Sequence, residues 1–134
     1  MKRAVFLLFF AFILVYGCSR NEGPVVILDA KIASSVDENF MPVKVTNNFP
    51  KGTATVACWI KWRAAKINTP VYTKWHYVTD DLPVKEVDFV TPRKEGSGSV
   101  SLAMPEGKAL PSGNYRVDIR SATKLLKTLT FKVE

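Results

Sequence analysis

The feature that most constrains this chain is its proline spacing. Pro24, Pro42, Pro50, Pro70, Pro83, Pro92, Pro105 and Pro111 interrupt residues 24–134, and the widest gap is 70 − 50 = 20 residues. Proline removes a backbone donor and clashes with the preceding helical turn, so no long helix fits between them. Glycines at 52, 96, 98, 107 and 113 add turn signals. What lies between is short, β-branched and aromatic. Such runs, bounded by turn residues, read as the strands of an all-β sandwich or barrel.

Alternation assigns the faces, because successive strand side chains point to opposite sides. In residues 53–62, Val56, Cys58, Ile60 and Trp62 share one face, and Thr55, Ala57, Trp59 and Lys61 share the other. In residues 71–78, Val71, Thr73, Trp75 and Tyr77 oppose Tyr72, Lys74, His76 and Val78. Residues 99–104, 115–120 and 128–133 alternate in the same way. Weaker strand patterns cover residues 25–33, 40–45 and 84–90. About seven strands with one wet face each suit antiparallel sheets. Residues 64–66 and 125–127 could each form a helical turn, too short to change the class.

The first residues follow another rule. Lys2 and Arg3 precede residues 4–16, which carry no charge. A basic start and an apolar run of this length form the pattern of a secretory signal. Thirteen helical residues span roughly 20 Å, short of the ~30 Å hydrocarbon core. The run ends in Leu14-Val15-Tyr16-Gly17-Cys18. This resembles the lipobox of bacterial lipoproteins, and the resemblance implies diacylglyceryl transfer to Cys18 and cleavage before it. A signal peptide cut elsewhere and an uncleaved anchor are the alternatives. Residues 1–17 would then be a signal-peptide helix, 18–24 the lipidated cysteine and tether, and 25–134 the folded domain. Ser19 after the cysteine favours the outer membrane by the same resemblance. The mature chain would keep 134 − 17 = 117 residues and a net charge of +7 − 2 = +5. Only Cys58 would remain besides the anchor, so no intramolecular disulfide is expected.

The body carries a second resemblance. Cys58, Trp75 on the next strand, and Tyr115 in Pro111-Ser-Gly-Asn-Tyr-Arg-Val-Asp-Ile119 lie where an immunoglobulin-like sandwich places its core cysteine, core tryptophan and tyrosine corner. Val117 replaces the partner cysteine. The chain thus resembles the disulfide-free immunoglobulin-like domains of bacterial envelope lipoproteins. The fold implied is an antiparallel sandwich, with a closed barrel as the alternative.

Chemistry-bearing residues are sparse. His76 is the only histidine, and alternation turns it outward. The adjacent acids Asp80-Asp81 sit in a turn, far short of the six to eight oxygens calcium takes. Gly96-Ser97-Gly98 lacks the strand–turn–helix setting of a nucleophile elbow and reads as a flexible hairpin turn. No phosphate loop or dinucleotide fingerprint occurs. The expectation is therefore no catalytic residue, no metal and no cofactor.

Binding remains. Lys74, Arg116, Arg120 and Lys132 all turn outward by alternation, and an immunoglobulin-like topology puts their strands in one sheet. They would form a cationic face for anionic lipid headgroups, acidic polymers or an acidic protein. An ordinary solvated face is the alternative. Trp59 falls on the outer side of its strand, where an exposed indole would suit a binding hot spot or a sugar platform. Cover by residues 64–70, or a bulge exchanging Trp59 with Trp62, would hide it. Tyr72 is its possible companion, beside His76. The expected function is a non-catalytic interaction or assembly module, anchored in a bacterial envelope with an unidentified protein partner. The alternative is a carbohydrate- or anionic-polymer-binding module. Nucleic acid is not expected.

Overall fold

The computed structural model describes residues 24–122 and 124–134. The expected signal peptide, Cys18 and the tether through Gly23 lie outside the described residues. The remainder forms nine strands in two sheets: β1 (Val25–Val36), β2 (Pro42–Val45), β3 (Asn48–Phe49), β4 (Thr55–Ala64), β5 (Pro70–Tyr77), β6 (Leu82–Val90), β7 (Glu95–Ala103), β8 (Gly113–Arg120) and β9 (Leu125–Val133). One sheet has the order β2-β1-β4-β7 and the other β3-β9-β8-β5-β6. All pairings are antiparallel except β3 with β9. This is a β-sandwich, as the alternating runs predict.

The expected count was about seven. Strand β2 falls within the weaker pattern at 40–45, and the strand no pattern announces is the two-residue β3, formed where the chain leaves the first sheet and joins the second. Residues 125–127 open β9 and form no helical turn. Residues 95–99 are strand β7, not a hairpin turn. The reason lies across the sheet, in the indole of Trp62. A Cβ on Gly96 would sit 3.0 Å from the Trp62 ring, and one on Gly98 would sit 3.4 Å away. The glycines leave room for the indole, whose Nε1 donates to the Arg93 carbonyl at 3.1 Å.

The core is drawn from the inner faces predicted by alternation. Val56, Cys58, Ile60 and Trp62 of β4 meet Val71 and Trp75 of β5 and Val117 and Ile119 of β8. Trp75 is fully buried and meets Phe131 edge-on at 6.0 Å. Tyr115 stacks on Phe131 at 4.8 Å, and its hydroxyl donates to the Pro111 carbonyl four residues upstream at 2.5 Å. That is the tyrosine-corner bond. It ties the 104–112 connection to the start of β8 and fixes β8 against β5.

Cys58 is a free, buried thiol. Burial raises its pKa from 9.0 to about 12. Burial, with the Tyr77 hydroxyl nearby, raises Tyr115 from 10.0 to about 12. Both groups are neutral when protonated, so the folded state holds these protons to higher pH than the unfolded chain. Their contribution to stability is complete below pH 9.0 and is lost as pH rises toward about 12. Urea midpoints should therefore be flat from pH 7 to 9 and fall steadily above it. Cys58 should resist a thiol reagent at pH 8 until urea opens the fold. Rapid labelling of Cys58 in the native protein would contradict its placement.

Candidate functional site

The five-stranded sheet presents its outer face between β6 and β9. Antiparallel register sets which side chains meet there. Tyr72 lies opposite Arg120 on β8 and opposite Asp88 on β6. Lys74 lies opposite Asp118 and Glu86, and His76 lies opposite Arg116. Lys132 stands on β9, paired with Asn114 toward the far end of the sheet. Six candidates, Tyr72, Lys74, His76, Arg116, Arg120 and Lys132, thus share one sheet, as expected.

The expected cationic face is corrected. Three of the four bases meet an acid. Lys74 pairs with Glu86 at 3.8 Å, Arg116 Nε lies 3.4 Å from the Asp118 carboxylate, and Lys132 lies 3.9 Å from Glu134. His76 Nε2 lies 2.8 Å from Asp81 Oδ1, across the β5–β6 turn. Asp118 also accepts from the Thr128 hydroxyl. Lys74, Arg116 and Lys132 meet the carboxylates of Glu86, Asp118 and Glu134, and Asp88 stands opposite Tyr72, so the face is a mixed lattice. Exposed pairs of this kind contribute only ~0–1 kcal/mol each to stability. Their consequence is an array of donors and acceptors in fixed register.

Three of the candidates converge. Tyr72, Lys74 and Arg120 line one open groove of about 540 Å³, with Glu86, Asp88 and Ser121. Tyr72 is 37% exposed at its centre. Arg120 makes no ion pair among the described residues, so its guanidinium keeps its donors for a ligand. Glu86 and Asp88 escaped the sequence reading. Their signal was present: Val87 and Phe89 alternate with them, which turns both acids outward. What alternation could not supply was the strand they stand beside.

Trp59 is corrected as a binding residue. It does point to the outer side of β4, in the other sheet, but it is only 5% exposed. The cover is the β1–β2 connection, not residues 64–70. Trp59 Nε1 donates to the Phe40 carbonyl at 2.7 Å. Phe40 can turn that carbonyl inward because it adopts φ 58°, within a turn whose Asn39 and Met41 amides are held by Asp37. Trp59→Phe should therefore destabilise the fold by about 1–2 kcal/mol through the lost hydrogen bond, with no loss of ligand binding. A binding defect at unchanged urea midpoint would restore Trp59 to the site.

Among the described residues, no three His, Cys, Asp or Glu side chains gather as a metal site. The only histidine is bonded to Asp81, and no serine or cysteine hydroxyl or thiol is bonded to it.

Two packed sheets, a buried cysteine and tryptophan on successive strands of opposite sheets, and a tyrosine corner at the start of β8 together define an immunoglobulin-like β-sandwich. Solved structures agree on that class. An immunoglobulin-like protein from Pseudomonas aeruginosa is similar, with TM-score 0.57 and 14% identity over 86% of this chain and 100% of that one. Part of a β-glucosidase from Listeria innocua is similar with TM-score 0.51 and 11% identity, over 87% of this chain and 17% of the enzyme. The C-terminal domain of Wzt is similar with TM-score 0.50 and 13% identity, over 84% of this chain and 75% of that one. At these identities the likeness establishes the fold alone. No protein-family model matches the chain, and no curated protein matches it.

Proposed function

We propose that the protein is a bacterial envelope lipoprotein, anchored through Cys18 in the outer membrane, whose immunoglobulin-like domain docks a protein partner without catalysis. The observation that carries this reading is the open outer face of the β6-β5-β8-β9 sheet. Its groove combines an exposed tyrosine, an arginine free of ion pairs, and the Lys74–Glu86 pair. Tyrosine and arginine are the side chains enriched at binding hot spots. Interleaved charges of both signs fix register and reject mismatched partners.

The test is affinity capture from detergent-solubilised envelope. The full chain should retain a partner that Arg120→Glu loses, while Lys51→Glu, on the opposite end of the domain, keeps it. Equal capture by all three forms, or capture by none, would count against the reading.

A second reading rests on Tyr72 in particular. An aromatic face flanked by Arg120 and Asp88 offers stacking with both a donor and an acceptor, which suits a neutral sugar ring. Similarity to part of a β-glucosidase fits this reading without carrying it. The carboxylates Glu86 and Asp88 disfavour a polyanion. Titration with cell-wall oligosaccharides should then depend on Tyr72. Binding that survives Tyr72→Ala would dismiss the sugar reading.

A further inference from the structure

Charge is unevenly divided between the two ends of the sandwich. Pro24 enters at one end, where its carbonyl accepts from Ala65 at 3.0 Å. The β4–β5 and β6–β7 connections meet there, through Ala64 N to Lys94 O at 2.6 Å and Asn68 N to Thr91 O at 2.6 Å. The β8–β9 connection lies at the same end, because Arg120 pairs with Tyr72 near the start of β5. These three connections, residues 65–69, 91–94 and 121–124, contain Lys66, Arg93, Lys94 and Lys124 and no Asp or Glu. All four cations are exposed, and none forms an ion pair among the described residues. Arg63 and Glu95 nearby cancel each other at 3.7 Å. The opposite end holds Asp80, Asp81, Glu106 and Glu134 against Lys51 and Lys108. Asp37 and Glu38 stand on the β1–β2 connection, which lies over Trp59 and whose residues 39–41 share an open pocket with Arg93 and Glu95.

The cationic end also carries apolar surface. Ile67 is 55% exposed at the tip between Lys66 and Asn68, and Val26 and Val90 are exposed beside it.

We propose that this end is a membrane-docking surface, set against anionic lipid headgroups with Ile67 entering the interface. The proposal rests on the Cys18 anchor put forward above and adds the orientation that the anchor imposes. Pro24 follows Cys18 by 24 − 18 = 6 positions, a reach of ~20 Å when extended. The acidic end lies a further strand away; ten residues of β4 span ~33 Å. The anchor therefore keeps the cationic end near the bilayer, and the charge difference between the two ends favours the pose in which that end faces the headgroups. Each Lys or Arg near an anionic surface favours the docked state about five-fold. The attraction acts within a Debye length of ~10 Å at 0.1 M salt. The docked domain stands upright, and the Tyr72 groove on its side stays open to a partner.

The test uses the full lipidated chain in vesicles. Ile67→Cys takes a polarity-sensitive fluorophore, because Cys18 is acylated and Cys58 is buried. Lys124→Cys provides a second probe at the same end, and Asp80→Cys a control at the other. Emission from positions 67 and 124 should shift to the blue in phosphatidylglycerol-containing vesicles relative to phosphatidylcholine alone. High salt should reverse the shift. Lys66→Glu and Lys94→Glu should each lower the docked-to-free ratio at least about five-fold. Position 80 should not respond. Acyl label on Cys18 is read in the same preparation. Acylated protein whose 67 and 124 probes ignore anionic lipid would overturn the docking surface and leave the anchor standing. Protein without acyl label would overturn the anchor, and this proposal with it.

Discussion

Trp75→Ala is expected to lower stability by about 3–5 kcal/mol, the range for deleting a large buried aromatic. Trp75 is the largest fully buried side chain of the domain and sits at mid-strand on β5. It packs edge-on against Phe131 of β9, which in turn stacks with Tyr115 of β8. A domain of this size has only ~5–15 kcal/mol in total. Among the described residues no disulfide restrains the unfolded chain: Cys58 is a free thiol, and Val117 stands where a partner cysteine would be. The loss should appear as a large fall in urea midpoint. Trp75→Phe is expected to cost less. It leaves a smaller cavity, and Trp75 Nε1 has no hydrogen-bond partner among the described residues to be stranded. A Trp75→Phe variant as unstable as Trp75→Ala would contradict this account of the core.

Gly113→Ala is the second large effect. Gly113 opens β8 at φ 142°, a conformation that side-chain-bearing residues rarely adopt. That backbone term alone costs about 1–3 kcal/mol. Space adds to it. A Cβ there would lie 2.6 Å from Thr79 Oγ1 and 2.6 Å from the Tyr77 hydroxyl. Neither atom is free to retreat: Thr79 accepts from the Asn114 amide at 2.9 Å, and Tyr77 donates to the Ser112 carbonyl. Crowding of this kind costs about 1–3 kcal/mol more. Gly52 separates the two effects. It also has positive φ, at 96°, but nothing lies within 4 Å of its Cβ position. Gly52→Ala should show the backbone term alone. Equal urea midpoints for the two variants would remove the steric part of the explanation. The functional consequence follows from register. Gly113 and Tyr115 start the strand that carries Arg120 to Tyr72, so a displaced β8 start should weaken partner capture as well.

How much of this was legible in the sequence depended on range. Alternation within a strand is local, and it placed Cys58, Trp75, Tyr115 and the outward set of β5 and β8 correctly. The tyrosine corner was legible because its partner is four residues away. Features that depend on distant chain were not. Trp59 obeys its alternation and still fails as a binding residue, because the β1–β2 connection lies over it. Gly96 and Gly98 looked like a turn because nothing nearby in sequence announces the Trp62 indole they accommodate. The cationic face failed only in part for that reason. Lys74 was rightly placed, but its acid, Glu86, comes from the β5–β6 pairing. Asp118 and Glu134, by contrast, stand two residues from Arg116 and Lys132 and follow from the same alternation. The cationic end of the sandwich is a sum over three connections that only the fold brings together.

The central claim is that the groove around Tyr72 and Arg120, on the side of an anchored domain, is where a partner docks. Photo-cross-linking in intact cells tests it most directly, with a photoreactive residue at position 72 and a matched one at Lys31, on the exposed side of the opposite sheet. The account predicts a discrete adduct from position 72 that Arg120→Glu abolishes, and none from position 31. An adduct from position 31 alone, or none from position 72 at normal expression and acylation, would contradict it.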